Sequence, residues 1–252
     1  LVRANGIPTY FAADIAYHRN KLEVRGFDYA INVWGADHHG HVARMKGALE
    51  AIGVDSARLH IVLMQLVRLM QDGQVVRVSK RTGKSITLGT LLEEIPVDAA
   101  RFLFNLHEPG SHIEFDLDLA VEQSSQNPVY YVQYAHARIC SILKNLSAQG
   151  IVPAALDKVG LERLEAPEER ELIRHLSSYT DDLITAAKTY DPARVTRYAI
   201  DLATLFHKFY NSCKVKGEDT DLMQARLHLC LATRTVLRNV LSLLKITAPE
   251  VM

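Results

Sequence analysis

The stretch Tyr29-Ala30-Ile31-Asn32-Val33-Trp34, followed at once by Gly35-Ala36-Asp37-His38-His39-Gly40-His41, leaves little choice of local fold. A short, mostly apolar run between Asp28 and Gly35 reads as a buried parallel strand. Met45, Leu49 and Ile52 then recur at helical spacing up to Gly53. Strand, glycine turn and helix in that order make the nucleotide-binding edge of an α/β sheet, at the carboxyl end of a strand. Gly35 admits a close backbone approach, Asp37 can accept from ribose hydroxyls, and His38 and His41 can donate to a phosphate or carboxylate. A metal is the alternative use of these histidines. At a helix start they point in different directions, and no acidic residue stands at i+4 as on a zinc helix, so no metal is expected.

The flanking segments extend this α/β reading. Thr9-Tyr10-Phe11 reads as a short strand or turn, and Asp14 to Arg25 carries Ile15, His18, Leu22 and Arg25 at helical spacing. Tyr10 and Asp14 stand four apart and share a face if both lie on a helical turn. A carboxylate beside a phenol suits a cation such as guanidinium; equally, Asp14 can simply cap the helix. Leu59 to Met64 is a second apolar strand. Leu66 to Met70, Asp72-Gly73 and Val75-Val76 read as a hairpin. Four cations, Arg77, Lys80, Arg81 and Lys84, follow it, interleaved with Ser79, Thr82, Gly83 and Ser85. A loop of this kind can fold over a polyphosphate and neutralise developing charge, or it is a solvated basic turn. Thr87 to Ile95 reads as a short helix. Pro96 and Asp98 start another, with Val97, Phe102, Leu103 and Leu106 on its apolar side. The expected fold class is α/β, the second half of a Rossmann-type nucleotide-binding domain, over residues 1–119.

From Asn127 the pattern changes. Asn127 to Leu146 reads as a helix, and a loop rich in Gly, Pro and Ala follows from Gly150 to Pro153. Glu168 to Lys188, Pro192 to Lys214 and Leu222 to Ile246 repeat apolar residues at helical spacing. Strand signals stop, so residues 120–252 are expected to form an all-α antiparallel bundle that folds independently. Tyr131 and Tyr134 share a helix face and Tyr210 ends another helix. Such tyrosines either stack on unpaired RNA bases or are core aromatics with a wet hydroxyl. Arg138 would add a phosphate contact. Lys plus Arg and Asp plus Glu balance at 29 each, so any RNA surface is a local patch. Cys140, Cys213 and Cys230 are widely spaced, which fits a reduced compartment and no zinc. No apolar run is long enough for a membrane span. Leu1 to Asn5 reads as the inside of a fold, so a fragment lacking its amino-terminal part is expected.

Order and spacing together resemble a known family. The stretch Val78-Ser79-Lys80-Arg81-Thr82-Gly83-Lys84 resembles the Lys-Met-Ser-Lys-Arg signature of class I aminoacyl-tRNA synthetases, with Arg77 and Val78 in its first two places. Ile7 to His18, Trp34 to His41, Asn127 to Arg138 and the terminal Ala248-Pro249-Glu250-Val251-Met252 are similar to bacterial arginyl-tRNA synthetases over the whole chain. The match is to the carboxyl-terminal half: the end of the catalytic domain, with its basic loop at 77–84, and the helical anticodon-binding domain. The resemblance implies an arginine–tRNA ligase, driven by ATP with Mg2+, acting on L-arginine and arginine tRNA in the cytoplasm as a monomer. It implies arginine binding by Tyr10, Asp14 and His38, the last at a position where many relatives carry glutamine. It implies ATP binding by Gly35, Asp37, His38, His41 and Lys80, and catalysis by Ser79, Lys80 and Arg81. It implies anticodon contacts from Tyr131, Tyr134, Tyr210 and Met252. The fragment is expected to be inactive alone. Two rivals are another class I synthetase, such as the cysteine enzyme with its zinc ligands, and a non-catalytic helical tRNA-binding module.

Overall fold

The computed structural model describes residues 1–76 and 87–252, and the chain divides into two compact units. The first comprises Leu1–Val67 and Pro109–Ile113, the second Arg68–Glu108 and Glu114–Met252. Most of the described chain is helical, and the strands are few and short.

In the first unit, α1 (Tyr10–Arg19) runs directly into a π-helical turn, Asn20–Val24. The expected strand or turn at Thr9-Tyr10-Phe11 is instead the start of this helix. Thr9 is the cap, its hydroxyl accepting from the Ala12 amide, so the propensity of Tyr and Phe for strands yields to a capped helical start. Strand β1 (Ala30–Gly35) pairs in parallel with β2 (Leu59–Met64), Ala30 opposite Leu59 and Gly35 opposite Met64. Between them a 3-10 turn, Ala36–His38, leads into α2 (His39–Ala51). Strand, glycine turn, helix and parallel strand therefore follow the sequence reading. β1 is not buried on both faces: Ala30 and Asn32 are enclosed, while Ile31 and Val33 on the alternate face are exposed. Leu22, Met45, Leu49, Val54 and Leu59 form the core, with Phe11, Ile15 and Trp34 packed against it.

In the second unit, β3 (Val67–Gln71) pairs with β4 (Gln74–Val75) through Asp72 and Gly73, whose φ values of 51° and 70° are the left-handed pair a two-residue hairpin requires. β3 is flanked on its other side by β5 (Ile113–Asp116), a strand the sequence did not announce. Helices α3 (Leu88–Glu94), α4 (Val97–Phe104) and α5 (Leu117–Val121) surround this part of the chain order. Val97, expected on the apolar side of α4, is exposed; Ala99, Ala100, Phe102 and Leu103 are the buried positions, because the helix starts at Val97 and turns its first residue outward.

The remaining helices are α6 (Pro128–Ser147), α7 (Pro167–Ser177), α8 (Tyr179–Thr189), α9 (Ala193–Ser212) and α10 (Thr220–Leu243). Asn127 caps α6 by accepting from the Val129 amide, with Pro128 at the first helical position. The expected continuous helix from Glu168 to Lys188 is broken at Ser178, whose single hydroxyl proton lies within reach of both the His175 carbonyl and the Asp182 carboxylate across the joint. α9 packs against α6, α7, α8 and α10 and buries Leu202, Phe206 and Phe209 completely. Beyond α10, Thr247 and Pro249 lie against α6: Gln133 Nε2 donates to the Thr247 carbonyl at 3.0 Å and His136 Nδ1 to the Pro249 carbonyl at 2.8 Å. Among the described residues no helix is long and apolar enough to cross a membrane.

Candidate functional site

A cleft of about 670 Å³ opens in the first unit beside α1, β1 and the start of α2. It gathers Tyr10, Asp14, His38 and His41. Gly35 and Asp37 stand just outside its lining, Asp37 Oδ2 lying 3.8 Å from His38 Nε2. A Cβ at position 35 would come within 2.5 Å of Asp37 Oδ1, so glycine gives that carboxylate room to fold back. Thr9 having taken the capping role, Asp14 is free in mid-helix, and Tyr10, 85% exposed, sits one turn before it. Among the described residues Asp14 is the one acidic side chain lining the cleft, and its carboxylate lies 3.7 Å from His41 Nε2. Aromatic rings surround that pair: Phe11 meets His41 edge-on at 5.0 Å, and Trp34 lies 5.5 Å from it. A carboxylate beside several ring faces is an environment for a planar cation.

A directional chain of hydrogen bonds holds this carboxylate's helix to β1. Lys21 Nζ, which can only donate, lies 3.1 Å from Asn32 Oδ1. The Asn32 amide nitrogen therefore faces His18 Nε2, at 2.5 Å, and donates to it. His18 then carries its proton on Nδ1 and donates to the Asp14 carbonyl at 2.7 Å. His18 and Asn32 are both buried. Sequence reasoning did not assign Lys21, His18 or Asn32 a role at the site. A signal was present, since His18 stands one helical turn after Asp14, but the partner on β1 is visible only in the fold.

The second gathering lies on α6 and α9. Tyr131, Tyr134 and Arg138 share a face of α6, and Phe206, His207 and Tyr210 come from α9. His207 packs against Tyr131 at 5.0 Å and Tyr134 at 5.9 Å, and Arg138 Nη1 donates to its Nδ1 at 3.3 Å. Tyr134 is exposed, and Tyr131 and Tyr210 are half-buried, so these rings are both packed and reachable. Met252 is not brought to them. It lines a separate cavity with Pro96, Asp98, Tyr130 and Gln133. Burial, then the Arg138 charge, pushes the His207 pKa down to about 4. His207, the hub of the cluster, was not singled out from sequence because its neighbours are distant in the chain.

The sign of that shift gives a prediction. A pKa below the ordinary 6.5 means the folded state refuses a proton that the unfolded chain accepts, so stability is full above pH 6.5 and falls as pH drops toward about 4. The loss is at most about 3 kcal/mol, reduced by the solvent that reaches the half-buried ring. Burial lowers the His136 pKa as well, in the same direction. Urea unfolding followed across this range should show the decline, and His207→Asn should flatten it; equal slopes for the two proteins would remove His207 as its source.

Ser79, Lys80 and Arg81 lie outside the described residues. Among the described residues no group of three or more His, Cys, Asp or Glu side chains is arranged to hold a metal ion.

Residues 132–252 match the DALR anticodon binding domain family. Over its whole length the chain is 60% identical to the arginine–tRNA ligases of Ruminiclostridium cellulolyticum and Caldanaerobacter subterraneus subsp. tengcongensis, covering 45% of each. The chain thus spans just under half the length of the curated relatives it matches. Among solved structures, an arginyl tRNA synthetase of Campylobacter jejuni is similar with a TM-score of 0.86 and 34% identity, over all of this chain and 54% of that one. The arginyl-tRNA synthetase of Thermus thermophilus, at 23% identity and a TM-score of 0.78, shares the fold.

Proposed function

We propose, from a chain whose whole length is homologous to the carboxyl-terminal part of arginine–tRNA ligases, that it supplies the amino-acid-selecting side and the RNA-binding helices of such an enzyme. The reaction would join arginine to AMP from ATP, with pyrophosphate leaving, and then pass the arginyl group to the terminal adenosine of its tRNA. Residues 1–119 would be the second half of a Rossmann-type catalytic domain and residues 120–252 the anticodon-binding domain. The parallel pair β1 and β2 joined through α2 supports the first assignment.

Within the cleft, Asp14 would pair with the substrate guanidinium and Tyr10 would cover it. His38 would close the side of the same site. Gly35, Asp37, His38 and His41 would meet ATP at the carboxyl end of β1. Ser79, Lys80 and Arg81 would steady the pyrophosphate, and ATP would enter with Mg2+ as the substrate complex. Tyr131, Tyr134, Tyr210 and Met252 would face the anticodon loop. The free cysteines, Cys140, Cys213 and Cys230, suit the cytoplasm, where thiols stay reduced.

The observation that carries this reading is Asp14 as the one acid, among the described residues, lining an aromatic cleft. In the ligase containing this chain, Asp14→Asn should raise KM for arginine about ten- to a hundredfold and relax its preference over citrulline. An ionised acceptor rewards a charged guanidinium by roughly 1.5–3 kcal/mol, and a neutral amide does not. Arginine- and citrulline-dependent pyrophosphate exchange measures this. An unchanged preference in a folded Asp14→Asn protein defeats the assignment.

A further inference from the structure

Arg138 stands where its charge alone does not explain it. Its guanidinium carbon lies 5.4 Å from the Tyr134 ring centroid and 4.9 Å from that of Tyr210. The same group donates to His207 Nδ1 at 3.3 Å. His207 is itself wedged against Phe206, with ring centroids 5.6 Å apart, and against Tyr131 at 5.0 Å. The low pKa of His207 keeps the ring neutral through the neutral range, and Arg138, which can only donate, makes Nδ1 its acceptor. The guanidinium thus makes one hydrogen bond to His207 and lies over two phenol rings from different helices.

We propose that Arg138 is a positioning residue: it sets the placing of Tyr134 and Tyr210 for stacking on unpaired bases and is not a phosphate ligand. The inference rests on the reading that these helices bind RNA. Only a planar, delocalised cation can lie over two rings while donating sideways to an imidazole; a lysine ammonium is a compact, strongly hydrated point charge. Stacking on bases depends on where the rings stand, so losing the spacer weakens binding without removing a charge from the RNA backbone.

The test is a titration of the whole 252-residue chain against an arginine tRNA anticodon stem–loop at several salt concentrations. Arg138→Ala and Arg138→Lys should each lower affinity about five- to tenfold, from the loss of two cation–ring contacts. The slope of log affinity against log salt should stay as in the wild type. In the Tyr134→Ala, Tyr210→Ala background, Arg138→Ala should cost nothing further, a coupling that general loosening of the bundle would not produce. A phosphate ligand behaves otherwise: Arg138→Ala shallows the slope by about one and Arg138→Lys restores affinity. That result, or wild-type binding by Arg138→Ala, overturns the proposal. If Arg138→Ala unfolds in a circular-dichroism melt, Arg138→Lys, which keeps the aliphatic stem, decides by its affinity. If the tyrosine double variant stays folded and binds as the wild type does, the RNA-binding reading fails and this inference falls with it.

Discussion

Arg226→Ala should cost the helical unit about 3–5 kcal/mol of stability. Glu169 is 1% exposed, and Arg226 Nε donates to its Oε1 at 2.6 Å. The other carboxylate oxygen accepts from the Ala166 amide at the start of α7, at 2.9 Å, and Arg226 Nη1 donates to the Lys214 carbonyl at 2.8 Å. The pair therefore ties the entrance of α7 to α10 and to the segment after α9. Alanine at 226 leaves an enclosed carboxylate without its cation, which is the costly half of the change. Replacing both partners, Glu169→Gln with Arg226→Met, should cost less than Arg226→Ala alone, because no uncompensated charge remains. Urea unfolding of the three proteins decides it. Arg226→Ala within about 1 kcal/mol of wild type would mean solvent already screens the pair.

Phe206→Ala should be nearly as damaging, by about 3–5 kcal/mol, because a large, fully buried ring is lost and a cavity is left behind. Its second effect is the more informative. Phe206 lies under His207 at 5.6 Å and beside Tyr210 at 6.1 Å, so its removal unseats the hub of the aromatic cluster. If these helices bind RNA as proposed, RNA affinity should therefore fall even at temperatures where Phe206→Ala remains folded, whereas a cavity placed at Leu172 of α7, also fully buried, should reduce stability alone. Equal RNA binding by folded Phe206→Ala and wild type would detach the cluster from RNA recognition.

What sequence made legible here was local. Asp72-Gly73 announces its hairpin because two consecutive left-handed residues admit few alternatives. Asn127-Pro128 announces the start of α6 because a side-chain cap and a pre-set φ coincide. The parallel pairing of β1 with β2 followed from two apolar runs and the helix between them. What was lost depended on partners far along the chain. β5 has few residues and gains its place only by lying beside β3. Asn32 reads as a polar interruption in a strand until Lys21 and His18 close around it. Ser178 carries no stronger breaking signal than other serines in helices, and its role depends on Asp182 and His175 being held together. Tyr10 and Asp14 were found by spacing, yet that Asp14 is not the helix cap shows only in the fold, where Thr9 takes that place.

The fastening of Thr247 and Pro249 onto α6 also sets an order of events during synthesis. Gln133 and Thr247 are 114 positions apart, so their pairing closes a far longer loop than the turn-to-turn contacts between successive helices. Short-range contacts form first, and long-range ones wait for the chain to return. Domains fold as they are made, from the amino-terminal side. His136 of α6 therefore lacks its Pro249 acceptor while α7, α8, α9 and α10 are being made, whereas Gln133 already has Asp98 of α4, an acceptor made before it, at 2.9 Å.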